Sequence, residues 1–165
     1  MTTCVVVIPI YNANPKPIEM ASLRRVLTVL NGHVIHLFTY EDLDTTVYKA
    51  VFEECNKSFL VDYFDKSYFS SVKGYNKLCL TPAFYLRYID YDYMLIYQLD
   101  AWVFYDSLQY WCDKNYDYIG APHFYSQEKN VTKEFMGVGN GGFSLRRIKY
   151  CLQILYGNKY MPYLK

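Results

Sequence analysis

The apolar positions change period along the chain, and the changes mark out alternating strands and helices. Cys4 to Ile10 is an unbroken apolar run of the kind that lies in a sheet covered on both faces. From Pro17, the residues Ile18, Ala21, Leu23, Val26, Leu27 and Leu30 follow a helical spacing that Gly32 can close at its C-cap. His33 to Thr39 alternates as a second strand, Thr45 to Cys55 has a short helical period, and Phe59 to Phe64 reads as a third strand. Gly74 to Ile89 predicts a helix kinked at Pro82, followed by a strand at Met94 to Leu99. Asp106 and Ser107, ahead of Leu108, Trp111 and Cys112, give a capped short helix. Tyr118 to Ala121 reads as a short strand, Pro122 to Met136 as a long loop, Gly142 to Leu145 as a strand and Ile148 to Tyr156 as a last helix.

Strands alternating with helical segments predict an α/β layered domain with a largely parallel sheet. A chain of 165 residues fits one such domain, spanning 1–165, because a chain of this length can bury roughly 70% of its unfolded surface. No internal repeat or low-complexity linker divides it. The apolar fraction of 52% includes twenty tyrosines and ten phenylalanines, which can serve as core or as stacking surface. The long loop is the least determined part, and loops of that length often act as lids or binding segments.

Cysteine and charge narrow the classes. Cys4, Cys55, Cys79, Cys112 and Cys151 are scattered, odd in number and never in a C-x-x-C pair, so neither a metal cluster nor a disulfide framework is supported. The run Val5 to Ile10 is too short for a signal segment and lacks a basic flank, and no apolar run is long enough to span a bilayer. A reduced, cytoplasmic setting follows, with peripheral attachment at the inner membrane face left open. The net charge of +1 is uneven: aspartates dominate from Asp90 to Asp117, whereas Arg146, Arg147, Lys149, Lys159 and Lys165 make the end of the chain basic. That bias can serve phosphates, an anionic membrane or solubility. Nucleic-acid binding is disfavoured by the near-zero net charge and the lack of an aromatic and basic groove signature.

Two stretches carry candidate chemistry. Tyr93 to Phe104 delivers one carboxylate, Asp100, to the end of an apolar strand, and in open α/β sheets ligands bind outside the carboxyl ends of strands. Val138 to Arg147 reads VGNGGFSLRR, where glycines allow the backbone to approach a ligand closely before a basic pair. A glycine cluster alone often means only a tight turn. Together the two stretches suggest a nucleotide-linked substrate.

The segments VVVIPIY at Val5 to Tyr11, SVKGYNKLCL at Ser71 to Leu80, YQLDAWVF at Tyr97 to Phe104, DYIGAPHF at Asp117 to Phe124 and GNGGFSLRR at Gly139 to Arg147 resemble, in order and spacing, a bacterial family of glycosyltransferases. The resemblance spans about Val5 to Ile148. It implies a glycosyltransferase-A fold, a Rossmann-like nucleotide-sugar domain with a mainly parallel mixed sheet flanked by helices. It also implies transfer of a sugar from a nucleotide-sugar donor to a glycan or lipid-linked acceptor in surface polysaccharide biosynthesis.

Carried onto this chain, the resemblance places Pro9, Ile10 and Tyr11 in the nucleoside pocket, with Tyr11 stacking on or edging a base. The plainer alternative is a strand end with a turn at Asn12. Tyr75, Asn76 and Lys77 fall at or before the first turn of a helix, where free amides favour anions and Lys77 can reach a phosphate; a solvated helix start is the alternative. Asp100 takes the place of the first aspartate of the D-x-D motif that holds Mn2+ or Mg2+ on the donor diphosphate. Here that motif reads D-A-W, and one aspartate gives a hard ion little grip. Asp100 would then hold a ribose or sugar hydroxyl, with Lys77, Arg146 or Arg147 as counter-charge to the departing diphosphate. Asn140, Gly141 and Gly142 would line the meeting place of donor and acceptor, and Trp102, Trp111 or His123 would supply a stacking wall.

Inverting transfer also needs a base for the acceptor hydroxyl. Members of the resembling family continue past Lys165 with an acidic segment that houses such a carboxylate, which implies a truncated or inactive relative here; His123, Glu128 and Glu134 are the substitutes in reach. Two other classes therefore stay open: a non-catalytic nucleotide-sugar or glycan-binding module, and an interaction subunit of a polysaccharide assembly.

Overall fold

The computed structural model describes residues 2–127 and 130–157, with residues 125–127, 130–133 and 140 described by their backbone alone. Its centre is β1 (Cys4–Pro9), in which all six residues are buried. Cys4, Val6 and Ile8 pack on one side of the sheet and Val5 and Val7 on the other, the period of two that a doubly covered strand imposes.

β1 pairs in parallel with β2 (Val34–Thr39) and with β4 (Tyr93–Tyr97), and β2 pairs in parallel with β3 (Leu60–Tyr63). Beyond β4 the sheet turns antiparallel, through β6 (Asn130–Arg147) to β5 (Tyr118–Gln127), giving the order β3-β2-β1-β4-β6-β5. The fold is thus α/β with a mixed sheet, parallel on one side and flanked by helices. The chain leaves the centre through β2 and β3 and returns on the other side of β1 as β4. Strand order therefore reverses between β1 and β4, the place where a crevice opens at the carboxyl ends of such strands.

Helices α1 (Pro17–Val29), α2 (Thr46–Glu54) and α5 (Leu108–Asp113) cover one face through Leu23, Val26, Leu27, Tyr48, Phe52 and Cys112. α1 begins on Pro17, and Glu19 accepts from the Lys16 amide at 2.6 Å to occupy a donor that the helix start would leave open. Helices α3 (Val72–Leu78), α4 (Pro82–Leu86) and α6 (Ile148–Tyr156) cover the other face through Tyr75, Leu78, Phe84, Ile148 and Leu152.

Two expectations are corrected. The helix expected from Gly74 to Ile89 is two helices, because Thr81 caps α4 by accepting from the Phe84 amide at 3.4 Å and Pro82 starts a new helix instead of kinking an old one. The first of them begins at Val72, with the Ser71 hydroxyl accepting from the Gly74 amide at 3.1 Å. The loop expected from Pro122 to Met136 is instead part of the β5–β6 hairpin, whose tip at residues 128–129 lies outside the described residues. Pro122 is tolerated because β5 is the edge strand, where a missing amide costs no outer ladder bond. Gly139 to Gly142, where a glycine cluster alone could mean a tight turn, is part of β6, and there the ladder slips: Gly120 lies opposite Ser144, whereas Ala121 lies opposite Asn140. Residues 141–143 therefore bulge from the β5 side while β6 stays joined to β4.

Candidate functional site

Two loops at the carboxyl ends of β1 and β4 form the walls of a groove, and each is tied down by side chains of the neighbouring helices and strands. After β1, the Ile10 carbonyl accepts from the Thr39 hydroxyl at 2.9 Å and the Asn12 carbonyl from the Tyr48 hydroxyl at 2.6 Å. Burial, with a smaller contribution from Glu19, pushes the Tyr48 hydroxyl up to about 12, so it remains a donor at neutral pH. After β4, the hydroxyls of Ser22 and Tyr97 converge on the Ala101 carbonyl at 2.7 and 2.9 Å. Arg25 donates to the carbonyls of Val103, at 2.8 Å, and Phe104. The Gln98 amide donates to the Gly142 carbonyl at 2.7 Å, joining this loop to the glycine stretch of β6.

The groove has two compartments. One, of about 350 Å3, is lined by Pro9, Ile10, Tyr11, Lys16, Gln98 and Asp100. The other, of about 500 Å3, is lined by Tyr11, Ser71, Tyr75, Asn76, Gly141 and Gly142 together with Gln98. Tyr11 and Gln98 belong to both, so the compartments adjoin at the switch between β1 and β4. The ring of Tyr11 is half-exposed and meets Tyr75 edge-on at 5.9 Å and Phe69 at 6.0 Å, while burial raises the pKa of its hydroxyl.

Of the residues singled out from sequence, Pro9, Ile10, Tyr11 and Asp100 meet in the first compartment, and Asn76, Gly141 and Gly142 in the second. Asp100 sits three residues past the end of β4, exposed and, among the described residues, without a hydrogen bond or ion pair. The others stand elsewhere. Lys77 is in the last turn of α3, not the first, and lies exposed on the Asp65 side; Asn76 is likewise past the first turn, so neither borrows the amides of a helix start. Trp102 and Trp111 line a separate, largely apolar cavity of about 410 Å3 with Val103, Phe104 and Phe143, and the Trp102 ring lies 6.0 Å from the Arg25 guanidinium. His123 is exposed on β5 opposite Gly137, outside both compartments. Glu134 is exposed on β6, Glu128 lies outside the described residues, and of Asn140 only the backbone is described.

The basic pair divides. Arg147 donates to the Tyr93 hydroxyl at 2.9 Å and to Asn115, and pairs with Asp117 at 3.2 Å, so it braces the far end of β6 and is not a counter-charge in the groove. Arg146 is buried on the α4 face, donating to the hydroxyls of Tyr85 at 2.8 Å and Ser144 at 3.1 Å, directly behind Gly141.

The described part of the groove offers a divalent ion a sparse donor set. Asp100 and Glu19 are the carboxylates on the groove among the described residues, and Glu19 is engaged by the Lys16 amide. No group of three His, Cys, Asp or Glu side chains arranged to hold a metal occurs among the described residues. Asp100 is the one unengaged carboxylate that the described groove offers to a magnesium or manganese ion, whose other oxygens would have to come from ligand phosphates and water. Sequence reasoning passed over Gln98, the hinge between the compartments. Its signal was a lone amide side chain straight after a fully buried strand. Ser71 was equally visible as an N-cap, but not as a groove residue, because that depends on where the start of α3 comes to rest in the fold.

No helix among the described residues is long and apolar enough to cross a membrane. No curated protein matches the chain. A family described as Protein of unknown function (DUF5672) matches residues 58–163, a stretch that holds Tyr75, Gln98, Asp100, Gly141 and Arg146 but not the β1 wall. With well over half of its length matched, the chain belongs to that family.

Proposed function

We propose that the groove binds a nucleotide-linked sugar and that the protein is a glycosyltransferase of glycosyltransferase-A type, using a glycan or lipid-linked acceptor in surface polysaccharide biosynthesis. The observation that carries this reading is the joining of two compartments at the β1–β4 switch, one walled by Pro9 to Tyr11 and Asp100, the other floored by Gly141 and Gly142. The nucleoside lies against Pro9, Ile10 and the Tyr11 ring, which can stack on a base. Asp100, free of partners among the described residues, accepts hydrogen bonds from ribose or sugar hydroxyls. Gly141 and Gly142 let the sugar lie against the backbone of β6, where any side chain would intrude. Gln98, at the junction, can bond groups in either compartment.

A second reading, a module that binds the donor without transferring it, is favoured by the carboxylate count. Asp100 is the one unengaged carboxylate on the described groove, and it cannot both hold donor hydroxyls and deprotonate the acceptor. The test is a calorimetric screen of uridine, guanosine, cytidine and thymidine diphosphate sugars with and without manganese, followed by an assay of nucleoside diphosphate release. Binding with release supports the transferase, binding without release supports the module, and absence of binding to every donor removes both.

A further inference from the structure

The larger compartment is lined by one buried hydroxyl that the described protein does not satisfy, and a buried guanidinium stands behind its Gly141 wall. Tyr75 is 7% exposed, and its hydroxyl makes no hydrogen bond, although Gln98 and the Cys79 thiol lie beside it. A buried hydroxyl without a partner is uncommon, since it loses water and gains nothing in return. Arg146 is 8% exposed and permanently charged, yet among the described residues its partners are neutral: the Tyr85 and Ser144 hydroxyls and the face of the Tyr118 ring at 5.6 Å. Burial pushes the hydroxyl of Tyr85 up, and it pushes the Cys79 thiol up against the opposing pull of Arg146, so neither is an anion at neutral pH. A buried guanidinium without a counter-charge is costly. Its Nη2 donates to no described oxygen and lies 2.9 Å from the point where a Cβ on Gly141 would stand, and Gly141 is part of the compartment wall.

We propose that the inner end of this compartment is an oxyanion subsite, in which a carboxylate or phosphate of the ligand receives the Arg146 charge through the gap at Gly141 and a hydrogen bond from the Tyr75 hydroxyl. For its natural ligand the subsite rests on the nucleotide-sugar reading: the oxyanion is either a donor phosphate or the carboxylate of an acidic sugar. In both cases Arg146 supplies positive charge beside a D-A-W segment that offers a metal a single carboxylate. A guanidinium suits the task because it presents fixed N–H donors to a planar or tetrahedral oxyanion. Gly141 is required because a side chain there would occupy the contact.

The test compares the wild-type protein with Tyr75→Phe and Arg146→Lys by calorimetry. The probes are inorganic phosphate, glucuronate, and paired nucleotide-hexose and nucleotide-hexuronate donors, with uncharged glucose as control. Tyr75→Phe is the informative variant, because it removes only an unpartnered hydroxyl. It is expected to keep or raise Tm while weakening anion binding about tenfold, the equivalent of one charge-assisted hydrogen bond. A loss shared by all nucleotides and phosphate assigns the subsite to a phosphate; a loss confined to glucuronate and the hexuronate donor assigns it to a sugar carboxylate. Anion binding by Tyr75→Phe as tight as wild type overturns the proposal, as does a wild-type protein that binds none of the anions. If phosphate or glucuronate binds in a Tyr75-dependent way and no nucleotide binds, the subsite stands and the nucleotide-sugar reading falls.

Discussion

Replacing Gly141 by alanine probes the floor of the groove directly. The new Cβ would stand 2.9 Å from Arg146 Nη2, closer than such atoms approach, and no other heavy atom lies within 4 Å of it outside the adjoining residues. The obstruction is the end of a side chain, so the backbone of β6 can stay while the guanidinium moves. Moving it stretches the bonds to Tyr85 at 2.8 Å and to Ser144 at 3.1 Å. A hydrogen bond from a charged group is worth about 1.5–3 kcal/mol, so losing one of the two costs about 2 kcal/mol. In a domain of this size that lowers Tm by roughly 4–8 °C. Gly139→Ala is the internal comparison: its Cβ meets His123 Cδ2 at 3.5 Å, an ordinary contact, and the change should stay within about 0.5 kcal/mol. Thermal unfolding followed by circular dichroism measures both, and phosphate calorimetry on the same samples shows whether the displaced guanidinium loses its anion. Equal effects at the two glycines, or a Gly141→Ala protein with wild-type Tm and phosphate affinity, would refute the placement of Arg146 against the groove wall.

Asp100→Ala should leave stability within about 0.5 kcal/mol of wild type, because the side chain is exposed and has no partner among the described residues, and should weaken donor binding; unchanged donor affinity would remove Asp100 from the site. Arg25→Met removes two bonds to the carbonyls of Val103 and Phe104 and should cost about 2–3 kcal/mol while altering Trp102 fluorescence; an unchanged urea midpoint would mean that the loop after β4 is held without it. Stability should fall as pH rises from 10 to 12, because burial holds Tyr48 at about 12 against an ordinary value of 10.0: the unfolded chain releases this proton in that window and the folded chain keeps it. Urea titrations at stepped pH, with phenolate absorbance as the second signal, measure this, and a flat profile would contradict it.

Much of the α/β order was legible from periodicity, since a strand covered on both faces must be apolar throughout, as in β1, and a helix on a sheet must repeat its apolar contacts every three or four residues, as Leu23, Val26 and Leu27 do. The gathering of Pro9 to Tyr11 with Asp100 was likewise accessible, because residues at the carboxyl ends of adjacent parallel strands share an edge of the sheet whatever else surrounds them. The β5–β6 hairpin was not, for Pro122, scattered polar residues and glycines all read locally as loop, and only pairing with a neighbouring strand makes them extended. Lys77 was misplaced by the same kind of error: Ser71, three residues earlier than the expected start, supplies the cap, and the shift moves the lysine from one end of α3 to the other. The sequence by itself determined the layers and the sheet edge at which the candidate groove opens, because these follow from which residues avoid water. Tertiary structure alone decided that Trp102 turns to a separate apolar cavity, that Arg147 is spent on Asp117 and Asn115, and that Arg146 stands behind Gly141 without a counter-charge among the described residues, while the buried hydroxyl of Tyr75 lines the compartment unpartnered among them. Those outcomes depend on which distant groups arrive at the same point, and distance through space has no period in a chain.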